Sequence, residues 1–246
     1  MRLVEILVEG DKDAYFIREL LIHRFADSFA AEGCPVSKEK PSKTEGLRVF
    51  SKDKGIEVCL HWTNGYGAIK GLRRPSALSV KDEFVSGVVY DSDVPNAKNA
   101  SNHPGQKARH KEIYSLLEVK GDEDEKVAAK YVFLSPDNRT DGDLEDLLRA
   151  AVSDTDDHRR FFEKAWIPFR TQVEGIPANC PTDKSMMNEY RAAFDEQAWD
   201  TNGLNLALSN ANLWNWECKE LDDLAKFLGH LIFDPIEKNL SDLLSK

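Results

Sequence analysis

The sequence is poor in cysteine, lacks long apolar segments and has more acidic than basic residues. Its four cysteines are scattered, with no pair at the spacing of zinc ligands or of a disulfide framework. No apolar run approaches the roughly 20 residues that a helix needs to cross a bilayer, so we expect a cytoplasmic protein with no membrane partner. The formal net charge of −10 argues against binding of nucleic acid through bulk positive charge alone.

The chain of 246 residues is long enough for one large α/β domain, or for a domain of roughly 150 residues with a helical extension. Strand and helix patterns alternate up to about residue 150, which is typical of a mainly parallel sheet. Helical patterns separated by prolines follow. We therefore expect an α/β domain in residues 1–150, with helices flanking a central sheet, and a helical extension packed on it in residues 151–246.

The predicted elements of the first domain are short and separated by clear turn signals. Strands are expected at 2–9, 85–90 and 130–134, a hairpin at 47–50 and 56–62, and helices at 14–25, 107–117 and from 142 onward. The stretch 121–125 is strongly acidic and is expected to be a solvated connector.

Acidic residues follow two of the predicted strands. Glu9 ends the first strand and precedes Gly10. The apolar run 87–90 delivers Asp91 and Asp93 to the end of another strand. Ligands of open α/β sheets bind outside the carboxyl ends of the strands, and acids gathered there raise one another's pKa unless a cation neutralises them. An oxygen-only site suits Mg²⁺ or Mn²⁺, so the sequence predicts a divalent-metal site.

Basic residues are concentrated in one stretch just after this acidic pair. The stretch contains Lys98, His103, Lys107, Arg109, His110 and Lys111, with Glu112 as its one acid. Two interpretations are open. The stretch either contacts a phosphate backbone or is a solvated polar loop with incidental lysines.

The acidic motifs resemble a known family. Val8-Glu9-Gly10 followed by Asp13, and then a strand ending in Asp91-Ser92-Asp93, is similar to the Toprim domain of topoisomerases, bacterial primases and overcoming-lysogenization-defect (OLD) nucleases. Two later motifs resemble, more narrowly, small stand-alone Toprim-like proteins of unassigned function; they are Leu134-Ser135-Pro136-Asp137-Asn138 and Gly142-Asp143-Leu144-Glu145-Asp146-Leu147-Leu148. The Toprim likeness covers residues 1–150 and implies a Toprim-like (Rossmann-like) sheet.

The resemblance implies roles for five acids. Glu9 would be the acid–base group and would also bind metal, while Asp91 and Asp93 would hold Mg²⁺ or Mn²⁺. Asp13 matches a position that is acidic in OLD-type nucleases, where a second metal can bind. Glu145 is a further metal-ligand candidate from the narrower group. With these roles the protein would hydrolyse phosphodiester bonds in DNA or RNA, since a bound metal activates water and neutralises charge developing on phosphorus.

The chain also departs from the better-known Toprim enzymes. It shows no tyrosine marked as a strand-breaking nucleophile, no zinc-binding primase module and no ATPase domain, so topoisomerase and primase activities are not expected. No basic residue is marked as the one that steadies the scissile phosphate, for which Lys70, Lys98 and Lys107 are available. The alternative function is a non-catalytic module that binds nucleic acid or a nucleotide, or serves a partner protein that supplies the ATPase.

Several of these acids have a structural alternative. Asp13 and Glu145 each lie in the first turn of a predicted helix, where an acid is favourable without any metal. Asp137 and Asn138 are expected to form a turn. Haloacid-dehalogenase-like phosphatases also place aspartates after a strand, but they need a hydroxyl residue where this chain has Pro95. Nucleotide-sugar glycosyltransferases also use a D-x-D motif, but a likeness to them does not account for Glu9-Gly10.

Overall fold

The structure is a computed structural model that describes most of the chain. The described residues are 1–29, 38–39, 45–62, 83–95, 105–173, 183–194, 208–210 and 212–235. By its contacts the chain divides into two compact units, the first from residues 1–144 and 222–246 and the second from residues 145–221. This division differs from the sequence-based one at residue 150, because the last described helix belongs to the unit that contains the sheet.

The first unit is built on a six-stranded sheet. In chain order the strands are β1 (Arg2–Val8), β2 (Lys38–Glu39), β3 (Glu45–Phe50), β4 (Ile56–Trp62), β5 (Glu83–Asp91) and β6 (Val132–Ser135). The spatial order is β2-β3-β4-β1-β5-β6; β4, β1, β5 and β6 are mutually parallel, and β3 is antiparallel to β4 and to β2. The expected α/β fold with a mainly parallel sheet is confirmed, and so is the hairpin of β3 and β4.

Eight α-helices are seen among the described residues. In chain order they are α1 (Asp11–Arg24), α2 (Gln106–Leu116), α3 (Asp122–Ala129), α4 (Leu144–Ala150), α5 (Asp156–Arg160), α6 (Ile167–Val173), α7 (Asp183–Phe194) and α8 (Asp222–Phe233), with a π-helix at Phe161–Trp166 and a 3₁₀-helix at Lys219–Leu221. The stretch 121–125, expected to be a connector, instead begins α3, because acids in a first turn lie at the positive end of the helix dipole. None of the described helices is long and apolar enough to cross a membrane.

Strand β1 lies inside the sheet, and its nearly continuous apolar sequence reflects burial on both faces. Val4, Ile6 and Val8 on one face have no exposed surface, and Leu3 and Leu7 on the other face are buried. Helices α1 and α8 pack on the sheet and contact each other. Gly87 of β5 permits the close approach of α8, because a Cβ there would lie 2.6 Å from Cδ1 of Leu231. This packing fixes where β1 and β5 end, and therefore where the acids that follow them lie.

The second unit has an aromatic core of its own. Tyr190 of α7 is fully buried, and its hydroxyl donates to the carbonyl oxygen of Leu213 at 2.7 Å. The Tyr190 ring centroid lies 5.2 Å from that of Phe162 and 5.7 Å from that of Trp214. An isolated antiparallel bridge pairs Val152 with Trp214. These contacts join the start, the middle and the end of the unit around one buried tyrosine.

Candidate functional site

The strand order creates a crevice between β1 and β5. From β1 the chain passes to β3 and β4 on one side, and from β5 it passes to β6 on the other side. Two neighbouring parallel strands whose connections diverge in this way mark a topological switch point. Ligands of open α/β sheets bind there, outside the carboxyl ends of the strands. Two of the acids predicted as metal ligands, Glu9 and Asp91, lie at the ends of these two strands.

Glu9 and Asp91 lie at adjoining strand ends beside this crevice. Glu9 comes directly after the last residue of β1, and Asp91 is the last residue of β5. Val8 pairs with Val89 across the two strands, so Glu9 is level with the residue before Asp91, on a strand about 4.8 Å away. Both acids are half-buried, and Oε2 of Glu9 and Oδ1 of Asp91 are enclosed from solvent. The structure therefore brings these two predicted residues to one edge of the sheet.

Asp93 is held by a buried arginine. Arg109 of α2 has 1% of its side chain exposed, and one of its terminal nitrogens contacts Oδ2 of Asp93 directly. The same guanidinium donates to the carbonyl oxygen of Asp91 at 3.2 Å and to Oε2 of Glu112 at 3.0 Å. An arginine–carboxylate contact of this kind is a strong, charge-assisted hydrogen bond. One acid of the D-x-D motif is thus already neutralised by a protein cation.

The environment of Arg109 differs from the one that the sequence predicted. Both interpretations of the basic stretch assumed that its cations face solvent, whereas this guanidinium is buried. A signal was present in the sequence, because Arg109, Ile113 and Leu117 are spaced four residues apart and share one face of a helix. Ile113 and Leu117 are fully buried. A charge on such a face needs a buried partner, and the nearest preceding acids are those of the D-x-D motif.

Ser92, the middle residue of the D-x-D motif, ties the motif to the segment after β6. Its hydroxyl oxygen accepts a hydrogen bond from the backbone N–H of Gly142 at 2.9 Å, and it lies 2.7 Å from the carbonyl oxygen of Ser135 and 3.0 Å from that of Thr140. The N–H of Asp93 donates to the carbonyl oxygen of Gly142 at 2.7 Å. Ser92 is fully buried. This role could not be predicted from local sequence, because it depends on residues more than forty positions away.

Asp13 and Glu145 lie in the first turns of α1 and α4, where an acid stabilises the helix without any metal. Oδ2 of Asp13 accepts a hydrogen bond from the backbone N–H of Gly10 at 2.8 Å, which caps the start of α1. Glu145 is buried in the first turn of α4 and belongs to the second unit. The capping role accounts for Asp13 without a metal. Metal binding by either residue stays a prediction.

The predicted phosphate-binding lysines are described only in part. Lys107 is exposed on α2, and Lys111 on the same helix is exposed as well. His110 does not add to their charge near neutral pH, because burial lowers its pKa below the usual value. Lys70 and Lys98 lie outside the described residues. Lys107 therefore remains available to contact a phosphate group.

Asp137 and Asn138 form the turn that was expected of them. Oδ1 of Asp137 accepts hydrogen bonds from the backbone N–H groups of Arg139 at 2.9 Å and Thr140 at 2.8 Å. These bonds lower the pKa of Asp137, although desolvation opposes them. Asn138 has a positive φ of 65°, and its side-chain oxygen accepts from the N–H of Leu134. Both side chains are engaged in backbone contacts of the turn after β6.

The sheet edge presents two carboxylates rather than a complete cage for a metal. In the part of the chain that the structure describes, no group of three or more histidine, cysteine, aspartate or glutamate side chains is arranged to hold a metal ion. Glu9 and Asp91 lie at the switch point, while Asp93 contacts Arg109. Mg²⁺ is usually held by one or two carboxylates and takes water or substrate phosphate oxygens as its other ligands. The donor chemistry of the pair therefore fits Mg²⁺ or Mn²⁺.

Comparison with known proteins places the chain in a family. No curated protein and no solved structure matches it. A family model described as a protein of unknown function (DUF3226) matches residues 4–233. The match includes the switch point, the D-x-D motif, the second compact unit and α8. Because the match covers most of the sequence, the chain belongs to the DUF3226 family.

Proposed function

We propose that this protein is a divalent-metal-dependent nuclease with a Toprim-like sheet, which hydrolyses phosphodiester bonds in DNA or RNA. The observation that carries the proposal is the position of Glu9 and Asp91 at the carboxyl ends of neighbouring parallel strands, at the switch point of the sheet. Acids at this point of an α/β sheet are placed to bind a ligand. Their order and motif context also match the Toprim resemblance.

In this proposal Glu9 and Asp91 hold Mg²⁺ or Mn²⁺. A bound divalent ion would lower the pKa of a water molecule and neutralise charge on the reacting phosphate. Glu9 accepts the proton of the water whose oxygen bonds to phosphorus, the bond from phosphorus to the leaving sugar oxygen breaks, and that oxygen takes a proton from solvent. Lys107 is the described candidate for a contact with the substrate phosphate.

Arg109 acts in this proposal as a positioning residue. Asp91 and Asp93 are two residues apart, so their negative charges repel each other. The guanidinium relieves this repulsion by pairing with Asp93, and its hydrogen bond to the carbonyl oxygen of Asp91 holds the backbone that carries the other acid. The ion pair thus leaves Asp91 and Glu9 as the metal-binding pair, with Asp93 supporting them.

The same ion pair favours a second candidate function. If Arg109 replaces a metal at Asp93, the sheet edge binds nucleic acid or a nucleotide without cleaving it. The protein would then work with a partner, such as an ATPase, that performs the chemistry. The net charge of −10 disfavours tight binding of a polyanion by the chain alone, so in this alternative the partner would supply part of the binding surface.

Cleavage of supercoiled plasmid DNA and of single-stranded RNA, with Mg²⁺ or Mn²⁺, separates the two functions. The test compares the wild-type chain with Glu9→Gln and Asp91→Asn, which remove a charge with little change in shape. Glu123→Gln makes the same chemical change at an exposed acid of α3 and serves as the control. The nuclease proposal expects metal-dependent cleavage by wild type and control, and its loss in both site variants. Binding of nucleic acid without cleavage in either metal would support the non-catalytic module instead.

A further inference from the structure

The second compact unit contains a cavity that the proposed nuclease site does not use. Its volume is about 770 Å³, which is within the range of roughly 300–1,000 Å³ that is typical of small-molecule sites. Every described residue that lines it lies in the second unit, between α4 and α7. None of the described lining residues is one of the acids predicted as metal ligands.

Aromatic and aliphatic side chains form the apolar part of the cavity wall. Phe162, Trp166, Ile167 and Met186 contribute to it. Trp166 and Met186 are buried, whereas Ile167 has 56% of its surface exposed. The cavity wall therefore combines buried and exposed apolar side chains. The rings offer flat faces on which a planar group can stack.

The backbone at this wall has an unusual conformation. Residues 156–173 form a continuous helical segment whose middle part, Phe161–Trp166, is a π-helix. π-helical turns are rare and are frequently found at functional sites. This one supplies Phe162, Glu163 and Trp166 to the cavity. The widened turn is therefore located at the ligand-facing wall.

Charged groups of both signs line the cavity. Arg149 and Arg159 supply cations, and Asp154 and Glu163 supply carboxylates. Arg149 contacts Asp146 at 2.7 Å, and the side chains of Arg149 and Arg159 are 47% and 56% exposed. Exposed ion pairs of this kind contribute little to stability, so an anionic ligand can replace a carboxylate partner at small cost. Arginine forks bind phosphate well, and carboxylates accept hydrogen bonds from sugar hydroxyls.

The indole nitrogen of Trp166 gives an independent indication. Nε1 is buried and donates no hydrogen bond to any residue in the described part of the chain. Leaving a buried donor unsatisfied is unfavourable, and such groups in folded proteins call for an explanation such as an absent ligand. Trp166 lines the cavity. A ligand with a ring acceptor would satisfy this donor.

We propose that this cavity is a nucleotide-binding site. The base stacks on Phe162 and accepts a hydrogen bond from Nε1 of Trp166, the sugar hydroxyls donate to Asp154 or Glu163, and the phosphate pairs with Arg149 and Arg159. The aromatic, carboxylate and arginine parts of the lining match the three parts of a nucleotide, which are a planar ring, a hydroxylated sugar and an anion. The site lies outside the sheet edge, and its function does not require the proposed metal.

Isothermal titration of the full chain with adenosine 5′-monophosphate, in the presence of EDTA, tests the proposal. Adenosine and inorganic phosphate, titrated separately, report on the two halves of the lining. We expect saturable binding of the nucleotide that is tighter than binding of either part. Asp91→Asn should bind it as wild type does, so that failure of the nuclease proposal leaves this result unaffected.

Matched substitutions locate the site. Arg149→Gln and Arg159→Gln should each weaken nucleotide binding roughly tenfold or more, since a charge-assisted hydrogen bond is lost. Arg139→Gln, an exposed and ion-paired arginine of the first unit, should not change it. Trp166→Phe keeps an aromatic ring but removes the indole N–H, so it should weaken binding and reduce any ligand-induced change in tryptophan fluorescence. Nucleotide binding no tighter than that of inorganic phosphate, or unchanged binding in both cavity arginine variants, would overturn the proposal.

Discussion

Replacing Arg109 by glutamine should destabilise the first unit more than any comparable change of a surface arginine. Arg109 is almost fully buried, and Asp93 has 14% of its side chain exposed. Removing one partner of a buried ion pair costs about 3–5 kcal/mol, because the remaining charge is left without compensation. Since Asp93 retains some solvent contact, we expect the lower end, a loss of about 3 kcal/mol of unfolding free energy.

Urea denaturation followed by circular dichroism measures this loss. With a urea dependence of about 1–3 kcal/mol per molar, the midpoint should fall by roughly 1–3 M. Glu112→Gln is the matched control, because it removes the other carboxylate that contacts Arg109. Glu112 has 42% of its side chain exposed, so its ion pair contributes at most about 1 kcal/mol.

A double-mutant cycle identifies the pair itself. Arg109→Gln combined with Asp93→Asn should be less destabilised than Arg109→Gln alone, because the uncompensated carboxylate is then absent. We expect a coupling energy of about 2 kcal/mol or more between the two positions. If Arg109→Gln unfolds at the wild-type urea concentration, or if the two single changes are additive, Arg109 does not neutralise Asp93 in the folded protein.

Three further changes test other parts of the structure. Gly87→Ala should lower the unfolding free energy by about 1–3 kcal/mol through overpacking, because its Cβ would lie 2.6 Å from Cδ1 of Leu231. Thermal denaturation measures this loss. An unchanged melting temperature would refute the close approach of α8. Ser92→Ala should cost about 1–3 kcal/mol, because the buried N–H of Gly142 loses its acceptor; native-state hydrogen exchange at Gly142 should accelerate. Burial raises the pKa of Glu5 to about 7, so the folded state binds more protons than the unfolded state between about pH 4.5 and 7. Stability should therefore fall as pH rises through that range, by up to about 3 kcal/mol, and Glu5→Gln should remove this decline in urea titrations at several pH values.

The strands could be predicted because their burial dictates their composition. An apolar run such as that of β1, buried on both faces, has few alternatives in a folded chain. The acids that follow β1 and β5 stand out because they interrupt apolar runs at points where the chain must turn. Strand ends, and therefore Glu9 and Asp91, were accessible from the sequence alone.

The partners of the acids could not be predicted, because they depend on long-range packing. The Arg109–Asp93 pair joins a helix to a strand end sixteen residues earlier, and the Ser92 contacts cross more than forty residues. The local sequence shows that a residue is charged, but it does not show which residue of opposite charge it contacts. The helical spacing of Arg109 with Ile113 and Leu117 was the one sequence feature that indicated its burial.

The division into units depended on a contact between distant parts of the chain. The pattern of α8 predicted a helix with an apolar face, but its position against the sheet requires Gly87 and Leu231 to meet. Sequence order suggested that all late helices belong together. Helix α8 belongs to the first unit because it packs on the sheet and covers apolar surface there.

Binding of Mn²⁺ to the full chain, measured by isothermal titration, tests most directly whether Glu9 and Asp91 form a divalent-metal site. We predict saturable binding by the wild-type chain and by Glu123→Gln. Glu9→Gln and Asp91→Asn should each bind roughly tenfold or more weakly, because each removes a carboxylate ligand. Equal Mn²⁺ affinity in all four proteins, or no binding by the wild-type chain, would contradict the assignment of a metal site to this edge of the sheet.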